Sequence, residues 1–310
     1  MKNENWTAEN IPNQKGRVVV VTGSSSGIGY EAARVLANKE ATVIIAVRNL
    51  EKGSKAAEKI LGQNKYADVK VMELDLANLE SVARFAENFK NAFARLDLLI
   101  NNAGVMVPPY AKTADGFELQ FGTNHLGHFA LTGRLLEVLL KTEGARVVNI
   151  SSSAHKFGDI NFDDLTWENR SYSAWRAYGD SKIANLYFTF EFDRKLKENG
   201  LGLITAAAHP GWTATELQRH AGFTDFLNGF FAMDISRGAL PGLRAGLDPN
   251  LKGGEFFGPD GLFELWGNAV EVAPNALSKD ETIARKLWEV SEQLTGVKFE
   301  FGRKANSATQ

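Results

Sequence analysis

Val18-Val19-Val20-Val21-Thr22-Gly23-Ser24-Ser25-Ser26-Gly27-Ile28-Gly29, continuing into Tyr30-Glu31-Ala32-Ala33-Arg34-Val35-Leu36, reads as a strand, a glycine turn and the start of a helix. Four successive valines without polar alternation mark a strand covered on both faces. Gly23 suits a tight turn, Gly27 lets the backbone approach a pyrophosphate, and Gly29 lets the helix lie close to the sheet. The free amides of the helix N-terminus then face the anion. This is the order that dinucleotide binding requires. A phosphate loop of the Gly-Lys-Ser/Thr kind is excluded, because no such triplet follows.

Working outward, similar apolar runs recur at 43–47, 69–74, 98–100, 147–150 and 203–208, each separated by room for one helix. The clearest helical stripe is Leu79, Val82, Phe85, Ala86, Phe89 and Phe93, in steps of three and four. Alternating strand and helix predicts an α/β fold: a single domain with a doubly wound parallel sheet of the Rossmann type and helices on both faces. No repeat or Pro/Gly/Ser-rich linker divides the chain, so one domain is expected over 1–310. Its core spans about 15–260, and a C-terminal helical extension covers about 261–310. Two stretches exceed a minimal sheet, 154–177 and 212–237. The second, with Phe223, Phe226, Phe230 and Phe231, reads as a substrate lid. After Pro274 a last helix is expected, with Ser278 and Glu281 as a capping box, Ile283, Leu287, Val290 and Leu294 on one face, and Gly296 as its stop.

Composition removes several functions. The 310 residues carry 35 Lys plus Arg against 37 Asp plus Glu, which leaves no basic face for nucleic acid and no polybasic anchor for anionic lipid. With no Cys there is no disulfide, thiolate metal site or thiol nucleophile. The five His residues, at 125, 128, 155, 209 and 220, show no metal-ligand spacing, and no Gly-x-Ser-x-Gly elbow is present. Residues 1–16 are polar, and no apolar run reaches the ~18–20 residues of a membrane span. A soluble, cytoplasmic protein is expected, without nucleic-acid or membrane partners.

The end of the second strand chooses between nicotinamide cofactors, since a carboxylate there bonds a ribose 2′-hydroxyl and repels a 2′-phosphate. Here it reads Ile45-Ala46-Val47-Arg48-Asn49. With no acid in place and Arg48 available to a phosphate, NADP(H) is favoured over NAD(H). Asp75, after the third strand, either reaches the adenine or caps the helix beginning near Asn78.

The glycine turn, Asn101-Asn102-Ala103-Gly104 after the fourth strand, and Tyr178-Gly179-Asp180-Ser181-Lys182 together resemble the short-chain dehydrogenase/reductase family. The match continues through Asn124 in Thr123-Asn124-His125-Leu126-Gly127-His128-Phe129, the serines following Val147-Val148-Asn149-Ile150, and His209-Pro210-Gly211-Trp212-Thr213-Ala214-Thr215. The spacing from the serines to Tyr178, Ala46-Val47-Arg48-Asn49 and the helix around Leu287-Trp288-Glu289-Val290 are similar to the retinol-dehydrogenase-like branch. Unlike many eukaryotic members of that branch, no N-terminal anchor is expected here.

That resemblance implies a metal-free site in which Asn124, Ser152, Tyr178 and Lys182 are catalytic. Tyr178 would exchange a proton with the substrate oxygen while hydride passes to or from the nicotinamide. A free tyrosine, with a pKa of about 10, is a poor base near neutrality and needs a nearby cation. Lys182, four residues on along one helix face, is expected to supply it and also to hold the ribose. Strand alternation puts the side chains of Ser151 and Ser152 on different faces, and the family pattern favours Ser152 as the donor to the substrate oxygen. Asn124 would hold a water linking Lys182 to solvent, or would simply bend its helix. Cofactor contacts are implied for Gly23, Ser25, Ser26, Gly27, Ile28 and Gly29, for Arg48, Asp75 and Leu76, for Asn102, Ala103 and Gly104, and for Pro210, Gly211, Thr213 and Thr215, besides Tyr178 and Lys182.

The expected function is NADP(H)-dependent interconversion of an alcohol with its ketone or aldehyde, on a small apolar substrate. Two alternatives stay open: a carbon–carbon double-bond reductase, and a sensor or scaffold that binds NADP(H) without turnover. A homodimer or homotetramer is the family's usual assembly, for which Tyr187, Phe188 and Phe190 could form a contact or belong to the core.

Overall fold

The computed structural model describes residues 5–213 and 233–302. Eight strands form one sheet in the order β3-β2-β1-β4-β5-β6-β7-β8. They are β1 Val18–Thr22, β2 Thr42–Val47, β3 Asp68–Glu73, β4 Leu98–Asn101, β5 Arg146–Ile150, β6 Ile204–Ala208, β7 Phe256–Pro259 and β8 Ala269–Glu271. All neighbours are parallel except β7 and β8, which pair antiparallel. Both β7 and β8 escape the sequence pattern, since Phe-Phe-Gly-Pro and a three-residue strand carry no readable period. The segment expected as a purely helical extension therefore also closes the sheet edge.

The helices are α1 Gly27–Asn38, α2 Leu50–Gln63, α3 Leu79–Ala92, α4 Leu119–Phe121, α5 Gly127–Lys141, α6 Ala174–Glu198, α7 Ile235–Leu247 and α8 Glu281–Thr295. Alternate residues of each strand serve opposite faces. Val19, Val21, Val43 and Ile45 pack with α1, α2 and α7, whereas Val18, Val20, Ile44 and Leu99 pack with α3, α5, α6 and α8. The predicted stripe on α3 is buried at Val82, Phe85, Ala86 and Phe89; Phe93 closes the helix as its extended C-cap. Truncating Phe89 to Ala would cost about 3–5 kcal/mol.

Two expectations need correction. β3 alternates exposed and half-buried residues rather than lying covered on both faces, because it is the sheet edge. The cap of α8 is Asp280, which accepts from the amides of Thr282 and Ile283; Ser278 instead bonds the Asn275 carbonyl. Its buried stripe is Ala284, Leu287, Trp288 and Ser291, and Gly296 ends it in the left-handed conformation. Of the two readings left open for Tyr187 and Phe188, the core one holds: both are buried in core clusters.

The strand order reverses between β1 and β4. The carboxyl ends of β1, β4, β5 and β6 converge there, where doubly wound sheets bind their ligands.

Candidate active site

At the end of β1, Gly23 has φ +66° and its missing side chain leaves room for Ala103, whose Cα lies 2.8 Å from where a Cβ would stand. Any other residue there would be both strained and blocked. Gly29 sits so close to β4 that a Cβ would lie 2.4 Å from Asn102 Nδ2. Thr22 ties the two strand ends together: its hydroxyl oxygen accepts from the amides of Asn102 and Ala103, each at 2.9 Å, and Asn102 Nδ2 donates to the Thr22 carbonyl. Ser26 occupies the N-cap of α1 yet makes no side-chain capping bond. Ser25, Ser26, Gly27 and Ile28 are half-buried around those first-turn amides. An uncapped helix start beside a glycine turn fits a pyrophosphate, with the amides and the helix dipole both favouring the anion.

Arg48 follows β2 on the exposed rim and makes no ion pair among the described residues. Asp75 holds its own turn, accepting from the Ala77 amide at 3.0 Å; Asn78 caps α3 instead. Leu76 is buried against the first turn of α5, its carbonyl 2.4 Å from where a Cβ on Gly127 would stand.

Tyr178 and Lys182 lie one turn apart on α6, both buried, with Lys182 Nζ 5.6 Å from the Tyr178 ring centroid. Lys182 Nζ donates to the Ile150 carbonyl at 3.1 Å. The two serines diverge as strand alternation requires. Ser151 Oγ donates to the Lys182 carbonyl at 2.8 Å, while Ser152 Oγ accepts from the Ala154 amide and faces Tyr178. Burial pushes the Tyr178 hydroxyl up to about 12, partly opposed by Ser152, and pushes Lys182 down to about 8. The expected lowering of the tyrosine by its lysine is therefore not present in the protein alone, because desolvation dominates.

Asn124 lies in a π-turn, Gly122–Leu126, between α4 and α5. Its carboxamide is fully engaged, accepting from the Val105 amide and donating to the Val105 carbonyl and Ser181 Oγ. Such turns concentrate at functional sites. Gly104 sits against this group: a Cβ there would stand 3.0 Å from Asn124 Oδ1 and 3.7 Å from Lys182 Nζ. Sequence reasoning overlooked His128. Its Nδ1 lies 2.9 Å from the Asn124 carbonyl and must donate to it, so Nε2 accepts from the Thr22 hydroxyl at 2.9 Å. The one available signal was its spacing, a helical turn after Asn124.

Pro210 and Gly211 leave β6 toward the same edge. The Pro210 carbonyl accepts from Thr213 Oγ1 at 3.0 Å, and the Gly211 amide donates to His209 Nδ1 at 3.3 Å. Thr215, Phe223, Phe226, Phe230 and Phe231 lie outside the described residues. Among the described residues no His, Asp and Glu side chains gather as metal ligands, and no helix is long and apolar enough to cross a membrane.

Comparison with known proteins places this arrangement. The family model for short chain dehydrogenases matches residues 17–224. The chain is 43% identical to retinol dehydrogenase 11 of Homo sapiens, covering 91% of this chain and 86% of that protein. It is 40% identical to human retinol dehydrogenase 13, covering 91% and 85%. A crystal structure of an uncharacterized protein from Mycobacterium Paratuberculosis superposes with a TM-score of 0.81 at 44% identity, covering 96% of this chain and all of that one. RhlG of Pseudomonas aeruginosa, solved as an NADP active-site complex, superposes with a TM-score of 0.66 at 26% identity, covering 82% and 98%. The chain belongs to the short-chain dehydrogenase family, is similar to its retinol dehydrogenases, and is an oxidoreductase acting on CH–OH groups.

Proposed function

We propose that this protein is an NADP(H)-dependent alcohol–carbonyl oxidoreductase that uses Tyr178 as general acid and base on an apolar substrate. The observation that carries the reading is the convergence of Ser152, Tyr178 and Lys182 at the carboxyl end of β5, beside the glycine turn and the open start of α1. A bound nicotinamide would supply the hydride donor or acceptor. Its pyrophosphate would rest on the amides after Gly23, and Asn102, Gly104 and Pro210 would border its path toward Tyr178. Arg48, uncommitted on the rim, would hold a 2′-phosphate by charge and a forked hydrogen bond.

In reduction, Tyr178 gives its proton to the substrate oxygen. Its raised pKa keeps that proton in place at neutral pH. Ser152 donates a hydrogen bond to the same oxygen as charge builds there. Lys182, still charged at neutral pH, stabilises the tyrosinate that remains. In oxidation the roles reverse. Met106, Ala154 and the half-buried Val107 cluster with Tyr178, so the wall beside the reacting group is apolar and suits an apolar substrate.

The test is consumption of NADPH and of NADH with a panel of apolar aldehydes and ketones, with Arg48→Ala beside wild type. NADPH-dependent turnover, with Arg48→Ala weakening NADPH much more than NADH, is expected. Equal weakening of both would remove the 2′-phosphate assignment.

A further inference from the structure

The wall beside Tyr178 is held in an unusual backbone state. Val107 has φ +54°, a left-handed conformation that a β-branched residue rarely adopts. Strain of this kind persists only where surrounding structure enforces it. On one side, Val105 is clamped through both its amide and its carbonyl by the Asn124 carboxamide. On the other, the Val107 amide donates to Gln120 Oε1 at 2.9 Å.

Gln120 is itself wholly buried and cannot turn over. Its Nε2 donates to the Ala174 carbonyl at 2.8 Å and to the Tyr172 hydroxyl at 3.0 Å. A carbonyl can only accept and an amide can only donate, so the two ends of the carboxamide are fixed in sense. Tyr172 in turn donates to the buried carboxylate of Glu118 at 3.0 Å, and its ring meets Tyr110 and Trp167 edge-on. Met106, one residue before the strained position, packs in the same cluster as Tyr178 and Ala154. A continuous path thus runs from the long stretch before α6, through one glutamine, to the side chain lying against the tyrosine.

We propose that Gln120 is a positioning residue of this site: by holding Val107 in the left-handed conformation it seats Met106 against Tyr178, so the stretch before α6 shapes the substrate wall. The inference rests on Tyr178 being the proton donor. Without the Gln120 acceptor, Val107 relaxes to negative φ and Met106 is no longer held at the ring. The substrate then loses the surface that aligns its carbonyl, and water gains access. Cofactor binding at the glycine turn is not involved.

The test combines Gln120→Met, Val107→Gly and the double variant, with Tyr178→Phe measured in parallel. Gln120→Met preserves volume but removes the acceptor. It is expected to lower kcat/KM for an apolar carbonyl roughly tenfold to a hundredfold, as small misplacements of reacting groups do, while the NADPH Kd stays within a few-fold. Glycine takes up positive φ freely, so in the Val107→Gly background the loss of Gln120 should have little further effect. An additive loss in the double variant, or unchanged kcat/KM in Gln120→Met, overturns the proposal. If Gln120→Met does not fold, Tyr172→Phe, which removes only one of the glutamine's acceptors, should show a smaller loss that Val107→Gly again absorbs; unchanged kcat/KM or an additive loss overturns the proposal there too. Retained turnover in Tyr178→Phe would instead defeat the catalytic reading, whatever Gln120 does.

Discussion

Ser151 donates its hydroxyl hydrogen to the main-chain carbonyl of Lys182 at 2.8 Å, fastening the end of β5 to the helix that carries both Lys182 and Tyr178. Its neighbour Ser152 faces the other way, toward Tyr178. Two adjacent serines therefore have separable tasks. Ser152→Ala is expected to lower kcat roughly a hundredfold to a thousandfold, the usual effect of losing one donor to a developing oxyanion, with the melting temperature little changed. Ser151→Ala removes this link between β5 and α6 while the Lys182 carbonyl keeps its helical partner, and is expected to cost about 0.5–1.5 kcal/mol of stability, with kcat altered only a few-fold. Paired kinetic and thermal-unfolding measurements check this; the reverse pattern would exchange the two assignments.

A second expectation concerns alkaline pH. Burial lowers Lys182 to about 8 and raises Tyr178 to about 12, so the lysine loses its charge first as pH rises. Reduction needs the Tyr178 proton and the Lys182 charge together. The kcat/KM for reduction should be flat near neutrality and fall above about pH 8. Lys182→Arg stays charged throughout, so whatever activity it retains should lack that limb. A limb at the same pH in both proteins would assign it to another group.

Acid should destabilise the fold through its buried imidazoles. Burial lowers His125 to about 3, and His128 and His155 to about 4 each, against about 6.5 in the unfolded chain. Below about pH 6.5 the unfolded state binds protons that the folded state refuses. Stability present above that pH is lost as pH falls toward about 4, at up to about 1.4 kcal/mol per pH unit for each imidazole. Asp180, raised by burial to about 6, binds a proton in the folded state over part of the same window and offsets roughly one of the three. Calorimetry should show a lower melting temperature at pH 5 than at pH 7, with net proton uptake on unfolding. A melting temperature that holds or rises at pH 5 would contradict the burial of these rings in neutral form.

Much of this architecture was legible in the sequence, for physical reasons that also mark where legibility ends. β1, β2, β4, β5 and β6 are covered on both faces and so appear as nearly continuous apolar runs. β7 and β8 exist because they pair with each other at the sheet edge, a tertiary fact that Phe256–Pro259 and Ala269–Glu271 do not display locally. The Ser-x-x-Glu pattern at 278–281 was outcompeted by Asp280, which stands directly before the helix. Within the site, Tyr178 and Lys182 were readable through the motif that resembles the family's, and helix periodicity sets the two on one face. Gln120 and His128 were not, since their decisive partners are the Val107 amide and the Asn124 carbonyl, and backbone atoms leave no mark in a sequence. The upward shift of Tyr178 follows from its burial, which residues 178–182 do not display locally.

The central claim is that Tyr178 is the proton donor, and one substitution tests it most directly. Tyr178→Phe keeps the ring in its pocket of Met106 and Ala154 and removes only the hydroxyl that faces Ser152. Single-turnover reduction of an apolar aldehyde should slow by roughly a hundredfold to ten-thousandfold, the range for loss of a general acid, while the Kd for NADPH stays within a few-fold of wild type. Turnover close to wild type, or loss of cofactor binding together with activity, would contradict it.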